Sequence, residues 1–161
     1  MVYSTIDDQL IRQTLTHAKT IAMVGVSSVK KVETSTIVRR RPSIIVMKYL
    51  QEFGYQVIPV NPFSAGKKIH GETVVAKLED ITIPIDIVDV FRPSKEAPII
   101  AKQAVKIGAK VLWLQFGIQN LEAQEIAKSA NVTCIVNRCI KQEYQRLFLK
   151  TSPVFPVLLS N

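Results

Sequence analysis

The stretch from Thr20 to Pro62 limits the folds open to this chain more than any other part of the sequence. It begins with an unbroken apolar run that reaches Gly25, continues through a long basic segment, and then gives a helical pattern and a second apolar run, Gln56–Val60. Apolar runs without alternation are typical of strands buried on both faces of a parallel sheet. The stretch therefore predicts a strand, a loop, a helix and a strand of an α/β domain.

The loop after the first predicted strand has the features of a phosphate-binding loop. Gly25 has no side chain, which lets a ligand approach the backbone, and Ser27 and Ser28 follow it closely. Ser43 is expected to be the N-cap of the next helix, whose first N–H groups can bind an anion. We therefore expect a nucleotide-like ligand at the carboxyl edge of the sheet.

The positive charge of the chain is concentrated beside this loop. The sequence has 21 Lys and Arg residues against 13 Asp and Glu, a net charge of +8, and five of the basic residues lie between Lys30 and Arg41. This local excess favours a phosphate-rich small ligand, with Arg41 among its contacts. A solvated surface loop is the alternative interpretation.

The rest of the chain continues the alternation of strands and helices. Three more apolar runs predict strands at Ile85–Phe91, Lys110–Leu114 and Val132–Val136. We therefore predict a single doubly wound, Rossmann-like α/β domain over residues 1–150, with a five-stranded parallel sheet in the order 3-2-1-4-5 and helices on both faces. The tail at 151–161 is expected to lie across a neighbouring or partner chain, so a homo-oligomer or a partner protein is considered.

Several classes of protein are disfavoured by the same sequence. No apolar run approaches the roughly 20 residues of a membrane span, and the N-terminus lacks the pattern of a signal peptide. Two cysteines, Cys134 and Cys139, do not form a disulfide framework, and we expect a cytoplasmic protein. No metal site is predicted because no Cys/His cluster has ligand spacing. No catalytic residue is predicted, because His17 is expected to end a helix and His70 to lie in a turn.

The common cofactor motifs are absent from the predicted loop. The Gly-x-Gly-x-x-Gly pattern is missing after the first strand, and Asn61 stands where an acid would hold the ribose of NAD. A nucleotide-dependent enzyme, such as an NAD(P)-dependent oxidoreductase, remains the alternative function. A nucleic-acid binder is disfavoured because the basic segment lacks interleaved aromatic residues.

An ordered series of short motifs extends over nearly the whole chain. The motifs are Val24-Gly25-Val26-Ser27, Arg41-Pro42-Ser43, Tyr49-Leu50, Gly54-Tyr55, Ile58-Pro59-Val60-Asn61-Pro62, Asp86-Ile87-Val88-Asp89-Val90-Phe91-Arg92, Gly108-Ala109-Lys110, Trp113-Leu114-Gln115, Gly117-Ile118 and Arg138-Cys139. In this order they resemble the small stand-alone CoA-binding domain proteins, Rossmann domains similar to the CoA-binding domain of the succinyl-CoA synthetase α subunit. The resemblance covers about residues 10 to 148. Asn137 departs from it, because the family more often has Asp there.

The resemblance implies that coenzyme A or an acyl-CoA is bound at the carboxyl edge of the sheet, without catalysis. The diphosphate would lie on the loop after the first strand, the adenosine near the Asn61-Pro62 turn, and the pantetheine arm along the later loops. The residues implied in binding are Gly25, Val26, Ser27, Ser28, Arg41, Ser43, Asn61, Pro62, Phe91, Arg92, Gln115, Gly117 and Ile118. We expect Arg39, Arg40 and Arg41 to contact the 3′-phosphate.

Cys139 is a candidate reactive thiol. It is expected to begin the last helix beside Arg138, and both features favour the thiolate. A mixed disulfide with CoA is therefore one hypothesis, and a small packed residue at a tight turn is the other.

Overall fold

A computed structural model describes residues 5–27 and 42–149 of the chain. The helices are α1 (Thr5–His17), α2 (Pro42–Glu52), α3 (Ala97–Lys106), α4 (Leu121–Ser129) and α5 (Ile140–Tyr144), which continues as a π-helix over Gln145–Leu149. The strands are β1 (Thr20–Val24), β2 (Gln56–Val60), β3 (Lys68–Ile69), β4 (Glu72–Thr73), β5 (Ile87–Val90), β6 (Val111–Leu114) and β7 (Thr133–Ile135). The basic segment and the tail lie outside the described residues.

Five strands form one parallel sheet in the spatial order β2-β1-β5-β6-β7, which confirms the predicted Rossmann-like α/β fold. The position of β5 differs from the prediction. The run Ile85–Phe91 was expected as the third strand, outside β2, but β5 pairs with β1 on its other side, with Ile21 opposite Ile87. That assignment was wrong.

The place outside β2 is taken by a very short strand at Val75. Its N–H donates to the carbonyl of Pro59 at 3.0 Å, and its carbonyl accepts from Asn61 N at 2.9 Å, which makes a parallel bridge to Val60. With Val75 counted as the third strand, the sheet has the predicted 3-2-1-4-5 arrangement, and β7 follows as a sixth. Shortly after this bridge, Leu78–Asp80 forms a 3-10 helical turn.

The two faces of the sheet carry separate apolar cores. Side chains alternate along each strand, so Met23 joins the core beneath α1, α2 and α5, while Ala22 joins the core beneath α3 and α4. Helices on both faces are thereby confirmed. The short β3–β4 hairpin lies beside β2 and turns at His70-Gly71, as expected of these two residues. None of the helices in the described ranges combines the length and apolar character that crossing a membrane requires.

The serine predicted as the N-cap of α2 is placed differently in the structure. α2 begins at Pro42, so Ser43 is its second residue and is buried rather than capping the helix end. Proline at a helix start explains the difference, since its fixed φ suits the first helical position.

Candidate functional site

A cavity of about 360 Å³ opens at the carboxyl edge of the sheet, on the face covered by α3. It lies at the strand-order reversal, because the chain leaves β1 towards β2 on one side and β5 lies on the other. Its lining residues are Val24, Gly25, Val60, Asn61, Pro62, Phe63, Ala76, Lys77, Arg92, Glu96, Ile99, Ile100 and Gln103. Four of the residues expected to bind ligand, Gly25, Asn61, Pro62 and Arg92, therefore meet in one cavity.

Gly25 is required at this position by its protein neighbours. Its φ is +96°, and a Cβ would lie 2.7 Å from Cδ of Arg92 and 2.8 Å from the carbonyl oxygen of Phe91. Its N–H also donates to the carbonyl of Val60 at 2.8 Å. The close approach of the loop after β5 is thus one cause of glycine at this position, and the expectation that the missing side chain also makes room for a ligand stays a prediction.

Asn61 connects the loops that follow β1 and β2. Its Nδ2 donates to the carbonyl of Val26 at 2.9 Å, and its Oδ1 accepts from the N–H of Phe63 at 2.9 Å. The side chain is buried, so these bonds hold one wall of the cavity. Asn61 borders the cavity mainly as a structural residue, since its amide is already engaged.

Ser27 and Ser43, both of which the sequence analysis expects to hold phosphate, lie close together in the structure. The N–H of Ser27 points to Oγ of Ser43 at 3.4 Å. Val26 beside them is fully buried in the core beneath α2, and its carbonyl is the acceptor of Asn61. Ser28 and Arg41, the other two residues assigned to this loop, lie outside the described residues.

Arg92 is paired within its own turn. Its Nη2 and Nε lie 2.8 and 3.3 Å from the carboxylate of Glu96, one helical turn onward. Phe91, before it, packs against the core on the opposite face and does not line the cavity. The two neighbours therefore point to different sides of the sheet, as alternating residues do.

The loop after β6 is fastened to the loop after β7 and lies apart from the cavity. Oε1 of Gln115 accepts from the N–H of Ile140 at 3.1 Å, and the N–H of Gly117 donates to Oδ1 of Asn137 at 2.6 Å. Ile118 packs against the core beneath α3 and α4. Gln115, Gly117 and Ile118 thus lie near one another without lining the cavity, and Oε1 of Gln115 and the N–H of Gly117 are engaged by the protein.

Asn137 has a role that the sequence did not reveal. Its φ is +58°, a left-handed conformation that Asn tolerates better than most residues, and its side chain holds Gly117. The neighbouring carbonyl of Arg138 accepts from Nε1 of Trp113 at 2.8 Å. The departure from the family pattern at this position therefore lies in a well-connected turn.

Cys139 stands before the first residue of α5, as predicted, and packs against the core beneath α1, α2 and α5. Arg138, the cation expected beside this thiol, forms an ion pair with Glu143 at 3.3 Å. Cys139 does not line the cavity. Burial raises the pKa of the other thiol, Cys134, to about 11, so that thiol stays protonated at neutral pH.

Two acids, one just before β5 and one inside it, have opposite environments. Asp86 precedes the strand, and its carboxylate bonds to the backbone at the start of β1. Its Oδ2 accepts hydrogen bonds from the N–H groups of Lys19 at 2.8 Å and Thr20 at 3.2 Å. Asp89 lies inside the strand between Met23 and Trp113, fully buried, and neither carboxylate oxygen has a hydrogen-bond partner. Burial raises the pKa of Asp89 well above its ordinary value. The side chain faces away from the cavity.

Comparison with known proteins agrees with this architecture. Residues 19–145 match the family of CoA binding domains. An uncharacterized protein of Bacillus subtilis, YneT, is 37% identical over 131 residues, which are 81% of this chain and 89% of that protein.

Two solved structures share both sequence and fold with the chain. A protein from Thermus thermophilus has 38% identity and a TM-score of 0.77 over 88% of this chain and 98% of its own. A hypothetical protein from Pyrococcus horikoshii OT3 has 38% identity and a TM-score of 0.78 over 91% of this chain and 98% of its own. The fold, the edge of the sheet that carries the cavity and these matches lead to one conclusion: the chain belongs to the CoA binding domain family.

Proposed function

We propose that the protein binds coenzyme A or an acyl-CoA at the carboxyl edge of its sheet and catalyses no reaction of its own. The cavity of about 360 Å³ beside Gly25 and Asn61 is the observation that carries this proposal. Open α/β sheets bind nucleotides in the crevice where the strand order reverses, and the cavity lies there. Membership of the CoA binding domain family supports the choice of ligand.

The cavity suits the adenosine part of CoA better than the whole molecule. Its walls include the apolar side chains of Val24, Val60 and Ile100, which favour a planar base. Phe63 and Ile99 stand at its rim with 89% and 63% of their surfaces exposed. Large exposed apolar side chains often mark binding sites, and an aromatic ring can stack on a base. Adenine would cover both.

The phosphates and the pantetheine arm would then leave the cavity over the sheet edge. Ser27 and Ser43 lie next to the cavity residue Gly25, on the side of α2, and we assign the diphosphate to this loop. The arm would continue past Arg92 towards Gln115, Gly117 and Ile118. Because Oε1 of Gln115 and the N–H of Gly117 are engaged, these two atoms would not bond to the arm.

The chemistry of the lining favours binding over catalysis. Among the described residues that line the cavity there is no His, Cys or Ser, and Arg92 and Glu96 pair with each other. The histidines lie elsewhere: His17 Nδ1 is 2.8 Å from the carbonyl of Gln13, and His70 Nε2 is 3.2 Å from that of Ile44. A nucleophile or general base would have to come from outside these residues.

Calorimetric titration with CoA, acetyl-CoA, NAD and a single-stranded oligonucleotide tests the proposal. We expect saturable binding of CoA and acetyl-CoA, no comparable binding of NAD or the oligonucleotide, and recovery of both thioesters and thiols unchanged by mass spectrometry. Tight binding of NAD alone would favour the oxidoreductase alternative. Conversion of acetyl-CoA would contradict the absence of catalysis.

A matched pair of variants tests the place of binding. Ile99→Glu puts a carboxylate at the cavity rim, and we expect CoA affinity to fall about tenfold, because an anion would face a phosphate-bearing ligand. Leu10→Glu makes the same change on an exposed residue of α1 and should leave affinity unchanged. Equal affinities of the two variants would place the ligand elsewhere.

A further inference from the structure

We propose that Lys77 binds the phosphate on the 3′ carbon of the ribose and so makes this site selective for CoA over dephospho-CoA. The inference rests on the proposed function, because it assumes that the cavity holds adenosine. It differs from the expectation that the Arg39–Arg41 segment holds this phosphate. Three observations lead to Lys77: the charges in the cavity wall, the position of this residue along the sheet edge and the size of the cavity.

Lys77 is the only cation in the described cavity wall that remains without an ion partner. Arg92, the other one, is paired with Glu96 at 2.8 Å. Glu79, which follows Lys77 closely in sequence, is paired with Lys106 at 3.4 Å. Asp80 is exposed, and in the described part of the chain it forms no ion pair with Lys77. The field at this side of the cavity is therefore set mainly by the ammonium group of Lys77.

The place of Lys77 along the sheet edge separates it from the diphosphate loop. Lys77 follows the short strand at Val75, which pairs with β2, and β2 pairs with β1. The loop after β1 is thus two strand spacings away, roughly 10 Å. A ligand whose diphosphate lies on the β1 loop would present its second phosphate to the other side of the cavity, where Lys77 stands.

The cavity is too small to hold the phosphate groups of CoA together with its adenosine, so we expect the phosphates at the rim. About 360 Å³ accommodates a base and a ribose against apolar walls, and a dianionic phosphate has no place among those walls. Lys77 is exposed at the rim, so its ammonium can meet the phosphate while both stay partly hydrated. Such a contact is weaker than a buried one and is screened by salt.

The test compares CoA with dephospho-CoA on the wild type, Lys77→Gln, Lys77→Arg and Lys102→Gln. We expect the wild type to prefer CoA by roughly three- to tenfold, the preference to vanish in Lys77→Gln, and Lys77→Arg to retain it. Lys102→Gln makes the same charge change on an exposed residue of α3 outside the cavity wall and should keep the preference. The preference of the wild type should also shrink as salt rises.

Each other outcome has a distinct meaning. If the wild type binds neither ligand, the proposed function fails. If it binds both equally, CoA binding stands and the role of Lys77 is overturned. If Lys77→Gln weakens both ligands by the same factor, Lys77 contacts the diphosphate instead. If the preference survives in Lys77→Gln and is lost when Arg39, Arg40 and Arg41 are replaced by Gln, the basic segment holds the 3′-phosphate and the inference is wrong.

Discussion

The amino edge and the carboxyl edge of the sheet are built on different principles. At the amino edge, the polar groups of Thr20 and Asp86 bond to each other and to neighbouring backbone, and Lys110 pairs with Asp86 at 3.4 Å. At the carboxyl edge lie a cavity, a left-handed Gly25 and exposed apolar residues such as Phe63. The first edge is held by internal bonds around a small pocket of about 90 Å³, whereas the second leaves a cavity of about 360 Å³ for a ligand.

The difference shows how one sheet divides stability and binding between its ends. Parallel strands end together, so every loop that follows a strand contributes to one edge and can be varied without disturbing the other. Asp86, just before β5, and Asp89, inside it, show this division. The former is held by backbone donors near the amino edge, and the latter stands unpaired one residue before the carboxyl end of β5.

Among variants at the two edges of the sheet, the largest change in stability is expected from Gly25→Ala at the carboxyl edge. The new Cβ would lie 2.8 Å from the carbonyl oxygen of Phe91, and the alanine would have to keep a left-handed φ. The free energy of unfolding should therefore fall by about 3–5 kcal/mol. The midpoint of urea unfolding measures this loss. Gly117→Ala is the control, because its φ of +86° is similar and nothing lies within 4 Å of the added atom. Equal losses would show that backbone strain alone decides both sites.

A smaller loss is expected from Asp86→Ala at the amino edge. Two backbone N–H groups lose their acceptor, so the free energy of unfolding should fall by about 1–3 kcal/mol at neutral pH. Burial alone would raise the pKa of Asp86, but the N–H groups of Lys19 and Thr20 and the ammonium of Lys110 lower it.

The pH dependence of this loss follows from the sign of the shift. Because the folded pKa lies below the unfolded value of about 3.8, the stabilisation is present above pH 4 and disappears as the pH falls through the folded pKa. The difference between wild type and Asp86→Ala should therefore vanish in acid. Asp80→Ala, an exposed acid, should change stability by less than about 0.5 kcal/mol at any pH.

The smallest effect, and the one of opposite sign, is expected from Asp89→Leu. An unpartnered carboxyl in an apolar core destabilises the fold, so a leucine of similar shape should raise the free energy of unfolding by about 1 kcal/mol. Asp89→Asn keeps the shape and the unbonded polar atoms and should gain much less. A loss of stability in Asp89→Leu would reveal a partner for this carboxyl and would break the contrast between the two acids.

The pH dependence of Asp89 is the reverse of that of Asp86. Its folded pKa is raised, so the native state keeps a proton that the unfolded chain releases. Stability should therefore fall as the pH rises from about 3.8 and level off above the raised pKa. The advantage of Asp89→Leu over the wild type should grow across the same interval.

The fold could be predicted from the sequence because its strands are long apolar runs. β1, β2 and β6 lie within the predicted stretches, and the helices between them follow from apolar periodicity. The position of β5 could not be predicted, because the strand that takes its expected place is a single bridge at Val75. A single paired residue leaves no alternating or apolar pattern in the sequence. The number of strands, and hence their order in the sheet, could therefore not be determined from the sequence.

The site could be predicted only in part, since the sequence does not say whether a polar residue after a strand binds a ligand or the protein. Gly25, Asn61, Pro62 and Arg92 do line the cavity, whereas Gln115 bonds to the start of α5. Both uses require the same residue type in the same position. Lys77 gave no signal, because it follows the short strand that no pattern revealed.

The contact between α1 and α5 has a consequence for synthesis of the chain. Nη1 of Arg12 donates to the carbonyl of Leu147 at 2.8 Å, and Arg146 binds Asp8 across 138 positions of sequence. At roughly 5–20 residues per second, a ribosome needs on the order of ten seconds to add that many residues. α1 therefore leaves the ribosome long before α5 exists to hold it, and its apolar side remains accessible to chaperones during that interval.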